Sequence, residues 1–312
     1  MKDAAASLAG ITMAMNGAAK ELRTGATSEN FVESQATLSF DLMKEVAKYP
    51  KIDSHVHVSL GSKGPEDNDE FFDRLGFTRM FISRPVNKKE APSAAFIQSN
   101  DMMYDAMKKY PGKMTGMFTL NPMYKKESLE EIKKRVDQGF VGLKVYYQVK
   151  INDPLFYPII EKMIDLKMIT LMHAEATLGT GGYRMKYDKK RMPNTSIPED
   201  FVDIAKRYPE AMFQYAHTGG GPDWEYALKA LKHSPNVYID TSGSNNEENM
   251  IDFAVREVGE DRLFFGTDNM YFQGVGKILS SNLTDVQKRK LFCDNYNNIL
   301  KKSGNQINIS NK

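Results

Sequence analysis

Short apolar runs alternate with longer amphipathic stretches along most of the chain, from residue 38 onward. The runs are rich in Val, Ile, Phe, Tyr and Met. Most of them are too short to be buried helices, so they predict strands. There are eight such runs, at residues 51–58, 78–84, 114–121, 141–147, 169–174, 211–217, 237–241 and 263–268.

The stretches between the runs have apolar residues at helical spacing and predict amphipathic helices. Examples are residues 125–138, 154–166, 223–233 and 247–258, with a final helix expected over 283–301 that Thr284 and Asp285 can cap. Strands that alternate with helices run parallel, because a parallel return needs a long crossover. Eight such units predict a single-domain (β/α)8 TIM barrel. An open doubly wound sheet is the alternative, but no G-x-G-x-x-G motif follows the first run.

Residues 1–37 are predicted to be an N-terminal extension, and residues 38–312 to be the barrel. Residues 4–19 are small, apolar and weakly patterned, which is typical either of the middle of an export signal or of an alanine-rich helix. Only Lys2 supplies a basic residue before this segment, so both interpretations stay open. We expect a cytoplasmic protein, or an exported one if the segment is the remnant of a signal.

The composition is that of a globular protein, with 41% hydrophobic and 26% charged residues. The net charge of +2 gives no reason to expect nucleic acid or an acidic membrane as a partner. No apolar run approaches the ~20 residues that cross a bilayer. The single cysteine, Cys293, excludes an intramolecular disulfide and a cysteine-rich zinc site. We therefore expect a small-molecule substrate, and the sequence leaves the formation of a homo-oligomer open.

Four of the five histidines lie where a predicted strand ends. His55 and His57 end the first strand and face the same side of it, because side chains alternate along a strand. His173 ends the fifth strand, His217 ends the sixth, and Asp268 ends the eighth. In a barrel these ends meet at the carboxyl-terminal rim, where active sites of this architecture are found. The pattern therefore predicts that the five side chains converge on one pocket.

Imidazole and carboxylate are good ligands for zinc and similar divalent cations. Such a cation lowers the pKa of a bound water toward about 7. A carboxylate nearby can accept the proton of that water, and a further histidine can stabilise charge on a substrate oxygen. A single histidine at a strand end is more often a polar boundary residue, and His233, in a predicted helix, is expected at the surface. The joint placement of the other four favours a metal centre.

Six segments contain these residues or lie at other strand ends: 52–57 (IDSHVH), 142–145 (GLKV), 171–174 (LMHA), 215–220 (YAHTGG), 237–243 (VYIDTSG) and 262–268 (RLFFGTD). Together they resemble the amidohydrolase-related (amidohydrolase 2) branch of the metal-dependent amidohydrolase superfamily. The resemblance implies that His55, His57, His173 and Asp268 bind one divalent metal ion, usually zinc. It also implies that His217 assists catalysis together with Asp268.

Four residues are candidates for substrate binding: Arg84, Lys144, Tyr146 and Glu175. Arg84 ends the second strand, where its guanidinium can pair with a carboxylate. Some members of the superfamily carry a carboxylated lysine between two metals at the position of Lys144; a buried or substrate-facing cation is the other interpretation. Glu175 can face the site or pair with a lysine at the rim. The loop at 177–197 contains five basic residues and is expected either to recognise an acidic substrate or to be solvated.

The sequence therefore predicts a metal-dependent hydrolase that uses a metal-activated water on a small organic ester, lactone or amide. A metal-dependent non-oxidative decarboxylase of a hydroxylated or unsaturated carboxylic acid is the alternative, since the same ligands serve both reactions. The ligand set does not distinguish zinc from manganese or iron. A catalytically silent barrel that acts as a binding protein would lack some of the metal ligands, and all of them are present.

Overall fold

The computed structural model describes residues 41–58, 64–86, 88–175, 193–221 and 223–309. The chain divides into two compact units, Met1–Met43 and Lys44–Lys312, and the second contains all the described strands. The predicted boundary at residue 37, the apolar segment 4–19 and most of the predicted loop 177–197 lie outside the described residues. None of the described helices is long and apolar enough to cross a membrane.

Within this part of the chain, eight strands alternate with helices in the order that the apolar runs predict. The strands are β1 (Lys51–His57), β2 (Phe77–Ser83), β3 (Met114–Gly116), β4 (Gly142–Val145), β5 (Ile169–His173), β6 (Phe213–Ala216), β7 (Val237–Asp240) and β8 (Leu263–Phe264). The helices are α1 (Leu42–Ala47), α2 (Pro65–Leu75), α3 (Ser93–Lys109), α4 (Lys125–Asp137), α5 (Tyr157–Asp165), α6 (Pro198–Arg207), α7 (Trp224–Leu231), α8 (Met250–Val258), α9 (Tyr271–Leu279), α10 (Asp285–Arg289) and α11 (Asn295–Lys302). Short 3₁₀ turns at Pro154–Phe156 and Glu260–Arg262 precede α5 and β8.

Backbone hydrogen bonds join the strands into a ring. All pairs within β1–β3 and within β4–β8 are parallel. Between β3 and β4, the Phe118 amide donates to the Gly142 carbonyl (2.9 Å) and the Lys144 amide donates to the Phe118 carbonyl (2.8 Å). Between β8 and β1, the Ser54 amide donates to the Phe265 carbonyl (2.9 Å). The two groups of strands are therefore paired at both edges, which confirms the predicted (β/α)8 barrel.

The strands are buried because helices cover the outside of the ring. Leu143 of β4, Leu171 of β5 and Ile239 of β7 have no exposed surface. The amphipathic helices turn their apolar residues toward the strands; in α5 these are Ile159, Ile160 and Met163. This packing fixes the strand ends that carry the candidate site.

The C-terminal helical region contains a π-helical turn that the sequence pattern does not predict. The expected cap at Thr284 is confirmed, because its hydroxyl accepts from the Gln287 amide (3.3 Å) while the Gln287 side chain accepts from the Thr284 amide (3.0 Å). The final helix predicted over 283–301 is confirmed, since residues 285–302 are helical without a break, and a π-helical turn, Lys290–Asp294, joins α10 to α11. Residues 291–293 in that turn are fully buried, so the wider turn places three consecutive side chains in the core.

Candidate metal centre

The carboxyl end of β1 carries the first two candidate ligands, His55 and His57. Their Nε2 atoms lie 3.2 Å apart. The Asp53 carboxylate ties this strand to the residues after β8, because it accepts hydrogen bonds from the His55 amide (3.1 Å), the Thr267 amide (3.0 Å) and the Thr267 hydroxyl (2.6 Å). Asp53 therefore fixes the end of β1, and the two imidazoles next to it are left to bind a ligand.

His55 is fully buried, and both of its ring nitrogens have partners. Nδ1 lies 3.0 Å from the Asp240 carboxylate, and Nε2 lies 2.9 Å from the side-chain nitrogen of Lys144. An ionised carboxylate can only accept a hydrogen bond, so Nδ1 carries the ring proton and Nε2 has the lone pair. A carboxylate on the far nitrogen is a common way for proteins to fix the tautomer of a metal-binding histidine.

His57 is oriented by residues from two neighbouring strand ends. Its Nδ1 lies 3.0 Å from the hydroxyl of Ser83, at the end of β2. Its backbone is held by Asn269, whose Oδ1 accepts from the His57 amide (2.7 Å) and whose Nδ2 donates to the His57 carbonyl (2.7 Å). Burial lowers the pKa of His57 to about 4, so the ring is neutral at pH 7.

Asp268, in the turn after β8, brings its carboxylate to these imidazoles. Oδ1 lies 3.1 Å from His57 Nε2 and 3.6 Å from His55 Nε2, while Oδ2 lies 3.8 Å from His217 Nδ1. Burial raises the pKa of Asp268, but the charge interaction with His55 and the hydrogen bond with His57 outweigh it, so the net pKa is well below its usual value. Asp268 and Asn269 both have left-handed backbone, with φ of 50° and 67°; strain of this kind is common at functional sites.

His173, at the end of β5, and His217, directly after β6, complete the cluster. His173 Nδ1 lies 3.1 Å from His217 Nε2, and the His217 ring stacks on the His55 ring at a centroid distance of 5.1 Å. Burial lowers the pKa of His217 to about 3 and that of His173 well below its usual value, so both rings are neutral at pH 7. The structure therefore brings together all five side chains that the sequence predicts, with His173 reaching the others through His217.

The donor atoms suit a divalent cation. His55 Nε2, His57 Nε2 and Asp268 Oδ1 are separated by 3.2, 3.1 and 3.6 Å. A cation about 2.1 Å from each of its ligands keeps neighbouring ligand atoms about 3.0–3.4 Å apart. His217 also offers a ring nitrogen within 4.8 Å of atoms of His55 and Asp268.

A cavity of about 680 Å³ opens beside His57. Arg84 and Tyr146 line it, and several of the other side chains in its wall are apolar, among them Val58, Val86 and Met102. Arg84 Nη1 is buried and has no hydrogen-bond partner among the described residues. A buried guanidinium nitrogen of this kind is suited to a substrate carboxylate, which can accept from it.

The other substrate-binding candidates differ in their access to this cavity. The Tyr146 hydroxyl lies 3.5 Å from His57 Nε2, and burial raises the pKa of Tyr146, so the phenol keeps its proton. Lys144 is fully buried, which agrees with its interpretation as a buried cation, and burial lowers its pKa to about 8. Glu175 lies two residues beyond His173, and its amide donates to the Ser196 carbonyl (3.2 Å). A role for Glu175 in substrate binding stays a prediction.

Four residues that orient the candidate ligands were not singled out by the sequence: Ser83, Asp240, Ser242 and Asn269. Asp240 and Ser242 lie in the segment 237–243, at the end of the seventh predicted strand. Two polar residues at the rim that carries the candidate ligands could have indicated a role beside them. Asn269 gave no such signal, because its contacts with the backbone of β1 depend on the turn after β8. His233 is exposed, as expected for a surface histidine.

Comparison with known proteins agrees with this architecture. The family model described as Amidohydrolase (Amidohydro_2) matches residues 52–295. No curated protein matches the chain.

Solved structures with a similar fold include enzymes that act on small carboxylic acids. A 2,6-dihydroxybenzoate decarboxylase from Rhizobium has 16% identity and a TM-score of 0.63, covering 82% of this chain and 100% of its own. A dihydroxybenzoic acid decarboxylase from Polaromonas, with bound manganese and the inhibitor 2-nitroresorcinol, has 16% identity and a TM-score of 0.62, covering 81% and 97%. A 4-oxalomesaconate hydratase from Rhodopseudomonas palustris has 17% identity and a TM-score of 0.57, covering 81% and 96%. At these identities the similarity shows the fold.

Proposed function

The chain belongs to the amidohydrolase family, and from that premise we propose that it is a metal-dependent hydrolase of small carboxylated esters, lactones or amides. The observation that carries the proposal is the convergence of His55 Nε2, His57 Nε2 and Asp268 Oδ1, 3.1–3.6 Å apart. These three residues, with His173 as the fourth ligand expected from the sequence, would hold one divalent cation. Such a cation polarises a substrate carbonyl and lowers the pKa of a nearby water.

The residues around this position would move the protons. The Asp268 carboxylate is ionised at neutral pH, so it accepts the proton of the attacking water and passes it to the leaving group. His217, with its Nδ1 3.8 Å from the Asp268 carboxylate, is proposed to assist catalysis beside that residue. Tyr146 keeps its phenolic proton and donates a hydrogen bond to a substrate oxygen.

Arg84 sets the substrate class in this proposal. Arg84 lines the cavity that opens beside His57, and its Nη1 is buried without a partner among the residues described. A carboxylate there would receive charge-assisted hydrogen bonds while the rest of the molecule packs on apolar walls. The preferred substrate is therefore an ester, lactone or amide with a free carboxylate away from the bond that is cleaved.

The test combines metal content with a substrate panel. Elemental analysis of the purified protein should find close to one divalent ion per chain, and hydrolysis of carboxylated lactones, esters and amides should disappear in His55→Ala. His233→Ala, which changes an exposed histidine, is the matched control and should keep both properties. The proposal is wrong if the protein binds no divalent ion and His55→Ala hydrolyses every substrate as well as the native protein does.

Non-oxidative decarboxylation is the second candidate. It is favoured by Arg84, which lines the cavity beside His57 and whose buried Nη1 suits a carboxylic acid, and by the similar fold of two decarboxylases. In that reaction the carbon–carboxylate bond breaks with release of carbon dioxide, and the carbon takes up a proton that water supplies by way of Asp268 or His217. Carbon dioxide release from dihydroxybenzoates, measured beside hydrolysis of the lactone and ester panel, distinguishes the two reactions. Release without any hydrolysis would replace the first proposal by the second.

The cation itself is proposed to be zinc, since imidazole and carboxylate are its usual ligands in catalytic sites. The Polaromonas structure contains manganese, which the same ligand types accept. Elemental analysis of protein prepared without added metal distinguishes the two, and activity restored by each ion to metal-free protein shows which one supports the reaction.

A further inference from the structure

A single buried carboxylate, Asp240 at the end of β7, connects the histidines of the site. Its Oδ2 lies 3.0 Å from His55 Nδ1 and accepts from the Gln214 side chain at 3.1 Å. Its Oδ1 accepts from the Ser242 hydroxyl at 2.5 Å and from the Ser242 amide at 3.1 Å. Asp240 has no exposed surface and Ser242 almost none, so water cannot replace these partners easily. The connection continues from Ser242 to His217, whose Nδ1 lies 2.6 Å from the same hydroxyl.

The direction of each hydrogen bond follows from how many protons each group has. A hydroxyl has one proton, and Ser242 uses it toward the carboxylate, which only accepts. Ser242 Oγ must therefore accept from His217 Nδ1, so His217 carries its ring proton on Nδ1 and its lone pair on Nε2. His173 Nδ1, 3.1 Å from that Nε2, must in turn donate to it. His173 then carries its proton on Nδ1 and has its lone pair on Nε2.

The same carboxylate fixes His55 directly, and an independent contact agrees with that assignment. His55 Nδ1 donates to Asp240, which leaves the lone pair on Nε2. Lys144 places its side-chain nitrogen 2.9 Å from this Nε2, and an ammonium group can only donate. Two histidines on different strands, His55 on β1 and His173 on β5, are thus given the same tautomer by one acidic residue on β7.

We propose that Asp240 and Ser242 are positioning residues that order the ring protons of His55, His217 and His173, so that His55 and His173 both offer Nε2 as a metal ligand. The inference rests on the proposed function, because it treats these two histidines as ligands. Neither Asp240 nor Ser242 touches the substrate; both act through the imidazoles. If Ser242 were absent, His217 could place its proton on either nitrogen, and a proton on its Nε2 would face His173 Nδ1 and force the opposite tautomer there.

Nitrogen NMR of the metal-free protein tests the ordering without any reference to catalysis. Long-range proton–nitrogen spectra distinguish Nδ1–H from Nε2–H imidazoles, and five histidines give few enough signals to assign by substitution. We expect Nδ1–H for His55, His173 and His217 in the native protein, and loss of the single tautomer of His173 and His217 in Ser242→Ala. Ser83→Ala is the matched control, because it removes a hydroxyl from His57 Nδ1 and should leave His173 unchanged. An Nε2–H signal for His173 or His217 in the native protein overturns the proposal, as does a Ser242→Ala spectrum identical to the native one.

Metal affinity supplies the second readout. Residues that orient metal ligands typically contribute about 10–100-fold to affinity, so Ser242→Ala should weaken metal binding by that factor in a competition titration with a chelating dye. Ser242→Thr, which keeps a hydroxyl on the same carbon, should restore both the affinity and the His173 tautomer. If Ser242→Ala does not fold, the spectrum of the native protein still decides the direction of the hydrogen bonds. A protein with the expected tautomers but no bound metal would refute the proposed function and leave the hydrogen-bond order standing.

Discussion

Replacing Asn269 with glycine should weaken metal binding while the barrel stays folded. Asn269 makes two hydrogen bonds to the backbone of His57, both 2.7 Å long, and it directly follows Asp268. Together with the bond from the Asp268 amide to the His55 carbonyl (2.8 Å), these contacts hold the turn after β8 against the end of β1. They therefore set the distance between the Asp268 carboxylate and the two imidazoles.

The magnitude follows from the two hydrogen bonds and the backbone conformation. Each bond contributes about 0.5–1 kcal/mol at an exposed position, so Asn269→Gly should lose about 1–2 kcal/mol of positioning energy. That corresponds to about a 5–30-fold weaker affinity for the metal. Asn269→Ala loses the same bonds and in addition holds a Cβ in left-handed backbone at φ 67°, which costs about 1 kcal/mol more. The order of affinities should therefore be native, then glycine, then alanine.

Competition between the protein and a chelating dye measures the affinity, and thermal unfolding of the metal-free proteins measures stability. Lys167→Gly is the matched control, because Lys167 also has left-handed backbone (φ 53°) but lies between α5 and β5, at the opposite end of the barrel. It should leave metal affinity unchanged. Equal metal affinity in native protein and Asn269→Gly, with both folded, would refute the idea that this turn positions Asp268.

Three further perturbations test other parts of the structure. Arg84→Met should lower kcat/KM for carboxylated substrates by about 10–150-fold and spare their uncharged analogues; equal losses on both would contradict carboxylate binding by Arg84. Glu131→Gln should reduce the free energy of unfolding in urea by about 1.5–3 kcal/mol, because it removes one of the two carboxylates that pair with fully buried Arg135 (Glu131 at 2.5 Å and Asp101 at 2.6 Å). An unchanged midpoint would show that the Glu131 pair is dispensable. Burial lowers the pKa of Lys51 from 10.5 to about 8, so between these pH values the folded protein loses a proton that the unfolded chain keeps. The free energy of unfolding should therefore rise with pH over this range by up to about 3 kcal/mol relative to Lys51→Met, and parallel curves for the two proteins would contradict the shift.

The convergence of the candidate site residues could be predicted from the sequence, because the barrel topology determines where the strand ends lie. Strands that run parallel in one ring end at one rim, so the position of a histidine at a strand end already places it near the others. His55, His173 and Asp268 could be found this way although they are far apart in the chain. The partners of these residues could not, since contacts such as Asp240 with His55 depend on which strand ends are neighbours and on how each side chain turns.

The lengths of the strands were less predictable than their existence. The apolar runs at 114–121 and 263–268 extend well beyond β3 and β8. Phe118, Leu120 and Phe265 lie past the ends of these strands and are still fully buried. An apolar residue indicates burial, and burial does not require that the backbone pairs in a regular ladder. The π-helical turn between α10 and α11 could not be predicted for a similar reason. A π-helical turn and an α-helical turn can both present apolar residues to the core, so the apolar pattern does not distinguish them.

His55 and His57 are oriented by residues from different strand ends, and this couples the site to closure of the barrel. Asp240 from β7 fixes the ring of His55, and Asn269 beyond β8 fixes the backbone of His57. Both contacts cross the region where β8 meets β1, which is also where the Asp53 carboxylate binds Thr267. A cation held between β1 and Asp268 would bind the closed ring far better than an open one, because in an open ring the carboxylate moves away from the imidazoles. By linkage, the metal then stabilises the closure of the barrel by the same free energy by which closure improves metal binding.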